Sequence, residues 1–465
     1  MAWGLRLTVI LYAVLHFYTY FNPQSSLLPL LAVTGGGLFL FAFLQYGIGR
    51  FKLPLLLFIT SLVITVASDH TIMESMEEGF LTMRGIIGLL IIIPFISIVL
   101  REEDYLSAIL QSVPRMIDSA GKLYIGLTFF TQVIAHFLLF GVIPMLYEFV
   151  SDFLKNRSGE GWERFKSTAL LRGFGLSTLW VISIPSFIFA VETMEANLWL
   201  AMLQGFFIAM VGTGIAFLFS KREEKKSGIS MTAGVQEELS EVLHQKMEGS
   251  RERTFEFLVL FASLFGPIFL LHAIFATDLM VTIPLVIIIW SLLYYVVKRK
   301  SGKLWQEVKR FVVEDTPGKG YQLSIMLSVG TLIYSLNQTG FAENAVALLE
   351  VVEGQVPVMN FLSLLPFIVV FLGFTGLGPL TVMVLVAGIL TSIDLPYPPE
   401  LIVLSVTTGS VISIILSPII LPAIALSGSN GINSFRNSIV YNWKFSLVFY
   451  AAAQVYVQSA AYFVT

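Results

Sequence analysis

The chain has 465 residues, of which 56% are hydrophobic and only 13% charged, with a mean hydropathy of +0.82. Soluble domains run nearer a quarter charged, so an ordinary globular enzyme is excluded. The formal charge of −3, with basic residues spread over short loops, implies no nucleic-acid partner, and zero cysteines close off disulfides, thiolate metal sites and cysteine nucleophiles; no metal and no cofactor are expected.

In chain order, apolar stretches long enough to span a bilayer fall at Leu5–Phe21, Leu27–Gly49, Leu53–Ala67, Gly85–Leu100, Thr168–Val191, Leu198–Phe219, Phe255–Ala276, Leu279–Val297, Tyr321–Leu336, Leu401–Leu426 and Ile439–Phe463. Each approaches the roughly 17 to 25 residues that a spanning helix needs. The first is followed by Asn22-Pro23-Gln24 rather than a small-residue cleavage site, so a retained helix is expected. Two further stretches, Leu123–Val150 and Phe361–Leu395, are too long for one straight span and are broken by Gly and Pro.

The loop charges sort these stretches. Lys and Arg stay on the cytoplasmic side of short loops. With the N-terminus inside, Arg50 and Lys52 fall inside and the acidic loop Asp69–Met83 outside. The next basic loop (Lys155, Arg157, Arg164, Lys166) stays inside only if Leu123–Val150 dips in and returns. The clusters Lys221–Arg253 and Lys298–Lys319 then also fall inside. By the same rule Phe361–Leu395 enters and leaves from the outer side, and Arg84 alone sits against the pattern. Non-helical backbone at membrane depth survives only where protein buries it or it lines a water-filled cavity, so two such re-entrant hairpins imply a site near the midplane. Pairs of short complete spans are the alternative.

The expected fold is therefore an all-α polytopic membrane protein of about 11 transmembrane helices plus two re-entrant hairpins, in two inverted-topology repeats. It divides into N-terminal helices (1–83), a first repeat (84–219, hairpin 123–150), a cytoplasmic linker with two connecting helices (220–320) and a second repeat (321–465, hairpin 361–395). The linker holds a soluble helix at Gln236–Met247. Each repeat carries an amphipathic surface helix before its hairpin: Asp104–Val113 in the first and a segment from Phe341 in the second. Laying Tyr105 on Phe341, Pro144 on Pro379 and Pro185 on Pro418 aligns the two halves at nearly constant offset.

Polar residues inside these stretches are the candidate site. In the second hairpin, Gly373, Thr375, Gly376, Gly378 and Thr381 would open the helix and offer N–H groups and hydroxyls to a ligand. In the following helix Thr407, Thr408, Gly409, Ser410 and Ser413 form a polar patch ending at Ser417-Pro418; Gly173, Gly175, Ser177 and Thr178, with Ser183-Ile-Pro185, hold the matching positions in the first half. The competing reading is packing through small residues in the hairpin, and in the helix hydroxyls that serve only the backbone freed by Pro418. Coupling or gating candidates are His136 and Gln132 in the first hairpin, Glu148 just past Pro144, and Arg172, which opens the broken helix of the first half.

Two local patterns, Gly373-Phe-Thr-Gly-Leu-Gly-Pro379 and Thr407-Thr-Gly-Ser-Val-Ile-Ser-Ile-Ile-Leu-Ser-Pro418, together with the repeat architecture, resemble the ion transporter superfamily of secondary transporters: divalent-anion/sodium symporters, membrane subunits of tripartite periplasmic transporters, and gluconate and lactate permeases. The Ser-Asn-Thr hairpin-tip motif of the symporter branch is absent. The resemblance implies a non-enzymatic homodimer in the cytoplasmic membrane, moving a small anionic solute by alternating access coupled to Na+ or H+, with lipid as its other partner. The rival expectations are a membrane-embedded enzyme acting on a lipid-linked substrate and a channel or scaffold; substrate, coupling ion and direction are not legible.

Overall fold

A computed structural model describes residues 2–24, 26–103, 105, 108–109, 118–228, 230–244, 249–341, 344–345, 347, 351, 360–393 and 395–464. Among the described residues the regular structure is helical, with no strand. Six helices are long and apolar enough to cross a membrane: Trp3–Phe21, Leu28–Arg50, Leu198–Lys226, Ser250–Phe275, Leu279–Val297 and Pro399–Asn430. Ile72–Thr82 with Arg84–Leu100, bent by 45°, makes a seventh if the pair is one span. This is the build of a multi-pass helical membrane protein. The two expected surface helices, at 104–113 and after Phe341, fall mostly outside the described residues, as does the end of the linker helix, which is described over Met231–His244.

The chain divides into two compact units. The first comprises Met1–Val99, Ser263–Pro357 and Val384–Leu395, and its central element is the helix Thr316–Asn337, packed against Leu28–Arg50, Lys52–Ala67 and Ile72–Thr82. Pro317 sits in its first turn, where no intrahelical donor is lost. Its buried hydroxyls Ser328, Thr331 and Ser335 each donate to the carbonyl four residues earlier, at 2.8–2.9 Å, so they cross an apolar interior without stranded donors. Ser335 Oγ also lies 2.8 Å from Thr65 Oγ1 on the neighbouring helix. Gly79 and Gly330 meet so closely that neither has room for a Cβ.

Three segments differ from expectation. The acidic stretch Asp69–Met83 is helical over Ile72–Thr82, because Ser75, Gly79 and Phe80 share a face that buries against the central helix while Glu74 and Glu78 stay exposed. The Gly85–Leu100 span is two helices, Arg84–Ile92 and Pro94–Leu100, with Pro94 ending the first hydrogen-bond ladder. The basic cluster Lys298–Lys319 is largely helical, running from Ser301–Arg310 through a π-turn at Phe311–Asp315 into the central helix.

The second unit comprises Leu100–Ala262, Val358–Met383 and Pro396–Thr465. Its first hairpin has arms Ala120–Leu138 and Val142–Phe153, joined by a tight turn at Leu139–Gly141 in which Leu139 takes φ 46°. Beside it run two interrupted helices, the long helix Leu198–Ser227, the first arm of the second hairpin (Phe361–Phe374) and the C-terminal helix Tyr441–Val464.

The close crossing in the first unit makes a direct expectation. Gly330→Val would force the two backbones apart and lower stability by about 1–3 kcal/mol, the usual cost of overpacking. Gly318→Ala, on the same helix with nothing within 4 Å of its new methyl, would leave the unfolding midpoint in detergent unchanged.

Candidate functional site

The first interrupted helix runs over Glu160–Ser177, stops, and resumes at Pro185–Thr193. Proline has no N–H to give and drives the residue before it out of the helical region; Ile184 is extended at φ −82°, ψ 112°. Residues 178–184 between the two halves are buried apart from a half-buried Trp180. The second runs over Pro399–Leu416 and resumes at Leu421–Asn430, with Ser417 extended before Pro418 for the same reason.

These two helices cross where they break. A Cβ on Gly175 would lie 2.8 Å from Ile415 Cγ1 and 3.4 Å from Val411 O. Two residues earlier, on the opposite side of the helix, Gly173 admits the first hairpin, since a Cβ there would lie 2.6 Å from Thr128 O. On the far side Gly409 admits the first arm of the second hairpin, 2.8 Å from Pro366 Cα, and Gly373 leaves room only for the Ser413 side chain. Ser417 Oγ donates to Gly373 O at 3.4 Å. All four of these glycines are close-approach positions; their missing side chains bring the turn of the second hairpin to the second break, and the second break to the first. Gly376 has φ +94°, a backbone state that Gly adopts freely, and Gly378 has nothing near its Cα. Thr375 is exposed at this turn and Thr381 is buried on the outgoing arm.

The hydroxyls fall into two classes. Ser177, Thr178, Thr375 and Thr407 donate to carbonyls three or four residues back, at 2.6–2.8 Å. Those are satisfied locally. Thr408 Oγ1 and Ser410 Oγ are buried without a hydrogen-bond partner among the described residues, and so are Ser405 Oγ and Ser413 Oγ on the same helix, Ser183 Oγ in the first break and Thr128 Oγ1 in the first hairpin. Each such oxygen costs on the order of 1–3 kcal/mol if nothing engages it. Ser413 and Ser183 belong to the polar stretches that the sequence marks; Ser405 and Thr128 were not singled out, although hydroxyls recurring through an otherwise apolar span were the available signal.

Gln132 and His136 come to the first break; Glu148 does not. Gln132 Oε1 accepts from Trp180 Nε1 at 2.9 Å, and its amide donates to Thr213 Oγ1 at 3.2 Å, so it bridges hairpin, break and the helix Leu198–Ser227. The His136 ring packs on Trp180 with centroids 5.0 Å apart, and its Nδ1 lies 3.2 Å from Gln132 O. Glu148 is exposed on the second arm. Arg172 is 2% exposed, the opposite of an interface anchor. It donates to Asn442 Oδ1 (2.8 Å), Tyr124 Oη (3.0 Å) and Tyr441 O (3.1 Å) and stacks on Phe445 at 4.6 Å, a cation held by neutral groups and a ring face. Asn430 and Asn437 exchange amide hydrogen bonds beside it and reach Ser167, tying the ends of both interrupted helices together.

No family model matches the chain, and no curated protein matches it in sequence.

The two classes of hydroxyl make different predictions. Ser410→Ala and Ser413→Ala remove oxygens that hold nothing, so thermal unfolding would show stability unchanged or raised by up to about 1 kcal/mol. Arg172→Leu strands the Asn442 and Tyr124 oxygens together and would lower it by about 3 kcal/mol or more.

Proposed function

We propose that the chain is a secondary active transporter that moves a small, anionic solute across the cytoplasmic membrane by alternating access, coupled to Na+ or H+. The observation that carries this reading is the crossing of two interrupted helices at their breaks, with unpartnered buried hydroxyls on both and the turn of the second hairpin beside them. Broken helices free backbone N–H groups and carbonyls of opposite polarity at one place, the arrangement from which transporters build solute and ion sites. Ser410 with Thr408, and Ser183 in the first break, supply the side-chain oxygens; carbonyls at 413–417 and 175–184 supply the rest. Arg172 is the buried positive charge nearest the first break in sequence and favours an anion. His136 and Gln132 are the polar groups through which a proton or ion would be felt in the first hairpin.

The same reading takes the two halves as inverted repeats, Pro185 with Pro418 and Ser177 with Ser410, in a chain of about 11 spans with its N-terminus inside, working as a homodimer. The anion, the coupling and the dimer come from the resemblance to the ion transporter superfamily; the crossing of the two breaks is what supports the site.

Two measurements test it. In this cysteine-free chain, a single Ser158→Cys, exposed after the first hairpin, would react with an impermeant maleimide only from the cytoplasm, and Met73→Cys, 72% exposed, only from outside. Reaction of both from one side overturns the threading. In proteoliposomes screened with labelled carboxylates, sulfate and phosphate under an imposed Na+ or proton gradient, the wild-type chain would accumulate at least one of them. Ser410→Ala would weaken its half-saturation by about five- to thirtyfold, the worth of one direct hydrogen bond to a charged ligand, while folding normally.

A further inference from the structure

The helix Met231–His244 lies outside the apolar spans and is seated on the second unit by an unusual face. Met231, Val235 and Leu239 are buried, as expected for an amphipathic surface helix, but so is Glu238, at 2% exposure. The helix touches both arms of the first hairpin at their base. The backbone N–H of Ala120, where the incoming arm begins, donates to Thr232 Oγ1 at 3.4 Å. Beyond the outgoing arm, Glu238 accepts from Arg157 Nε (3.0 Å) and Asn156 Nδ2 (3.2 Å), Glu237 takes a second nitrogen of Arg157, and Glu241 pairs with Lys155 at 3.3 Å. Gly234 lets Trp162, in the first turn of the first interrupted helix, come close; a Cβ there would lie 2.9 Å from the indole. At its other end Met231 forms part of the wall of a cavity of about 280 Å³, with Arg164, Thr168, Arg172, Ser220 and Glu223 among the other lining residues.

One short helix thus gives Met231 to the wall of a cavity that Arg172 also lines, and it bridges the two ends of a hairpin. Three buried apolar side chains seat it, and charge pairs fix it to the outgoing end of the hairpin. The Glu237 and Glu241 pairs are exposed, of the kind that contributes little and is screened by salt. Glu238 is different, because a buried carboxylate that loses its cation is left with an uncompensated charge. The polar part of the seat therefore depends on Arg157, and losing that one cation removes both ion pairs and leaves Glu238 with Asn156 alone.

We propose that Met231–His244 is a releasable strap, closing the cavity lined by Arg172 and locking the base of the first hairpin until the Arg157–Glu238 contact opens. When the strap lifts, Met231 leaves the cavity wall that it shares with Ser220 and Thr168, widening access to them, and the two hairpin arms are no longer bridged. The proposal is independent of which solute, if any, the protein carries.

The test uses the full-length protein in detergent with Ser220→Cys as its single thiol, and follows the rate of reaction with a bulky maleimide. Arg157→Glu would raise that rate about five- to tenfold, the population shift expected when a contact of this kind is lost. Adding Glu238→Arg to it, which restores opposite charges across the contact, would bring the rate back toward that of the parent. Raising the salt concentration would speed the parent and leave Arg157→Glu unaffected. Should Arg157→Glu aggregate, Glu237→Gln with Glu241→Gln, both on the exposed side, decides the matter with a smaller increase in the same direction. Equal rates in all these proteins, or a fast rate in Arg157→Glu that the second change fails to reverse, would overturn the strap.

Discussion

A helix interrupted inside an apolar interior must find partners for the amides and carbonyls that its break sets free, since no water is at hand to take them. In the second unit that constraint is met by bringing two interruptions together. The contact that permits it is the approach of Gly175 to Val411 and Ile415. A methyl at Gly175 would separate the helices at the one level where each needs the other. Around this crossing the remaining small residues follow: Gly173 seats the first hairpin, Gly409 and Gly373 the second. The hairpins are held in place by absent side chains, in the manner of membrane helices whose association rests on close packing rather than on expulsion of water.

The second requirement is an anchor for a structure with so many chain breaks, and Arg172 supplies it. A buried guanidinium presents donors in a fixed plane, so Tyr124 on the first hairpin and the pair of acceptors at the start of the C-terminal helix, Asn442 and the Tyr441 carbonyl, are fixed relative to one another by one side chain. The asparagine pair Asn430–Asn437 extends the same network to Ser167. Next to it, Lys166 is buried against Glu163 and Tyr147, which joins the outgoing arm of the first hairpin to the first interrupted helix.

Much of this was legible in the sequence because proline and hydrophobic length act locally. Pro185 and Pro418 marked both interruptions, the apolar runs marked the spans, and Gly-Pro content marked the turns at Leu139–Gly141 and at 375–378. What was not legible depends on neighbours distant in the chain. Gly173 and Gly175 read equally well as ligand-facing or packing residues until the atoms opposite them were known. The partners of Arg172 were hidden as well, because nothing in its own helix announces Tyr124 or Asn442. Satisfied and unsatisfied hydroxyls cannot be told apart by type: Thr407 and Thr408 are adjacent, and only the first bonds back to its own helix. The helix at Ile72–Thr82 was missed for a related reason, its acidic residues masking a face that only the crossing with Gly330 makes visible.

Trp180 sits inside the first break with its indole N–H committed to Gln132, His136 against one side and Phe206 at 5.0 Å on another. An indole hydrogen-bonded in a confined polar setting emits light whose colour follows small changes in the dipoles around it, and a neighbouring imidazole dims that emission when it becomes cationic. The protein therefore carries its own optical gauge at the point where the hairpin, the break and the adjoining long helix meet. With the other six tryptophans replaced by phenylalanine, occupancy of the break and the charge on His136 would be read as colour and brightness from one ring, without attaching any label.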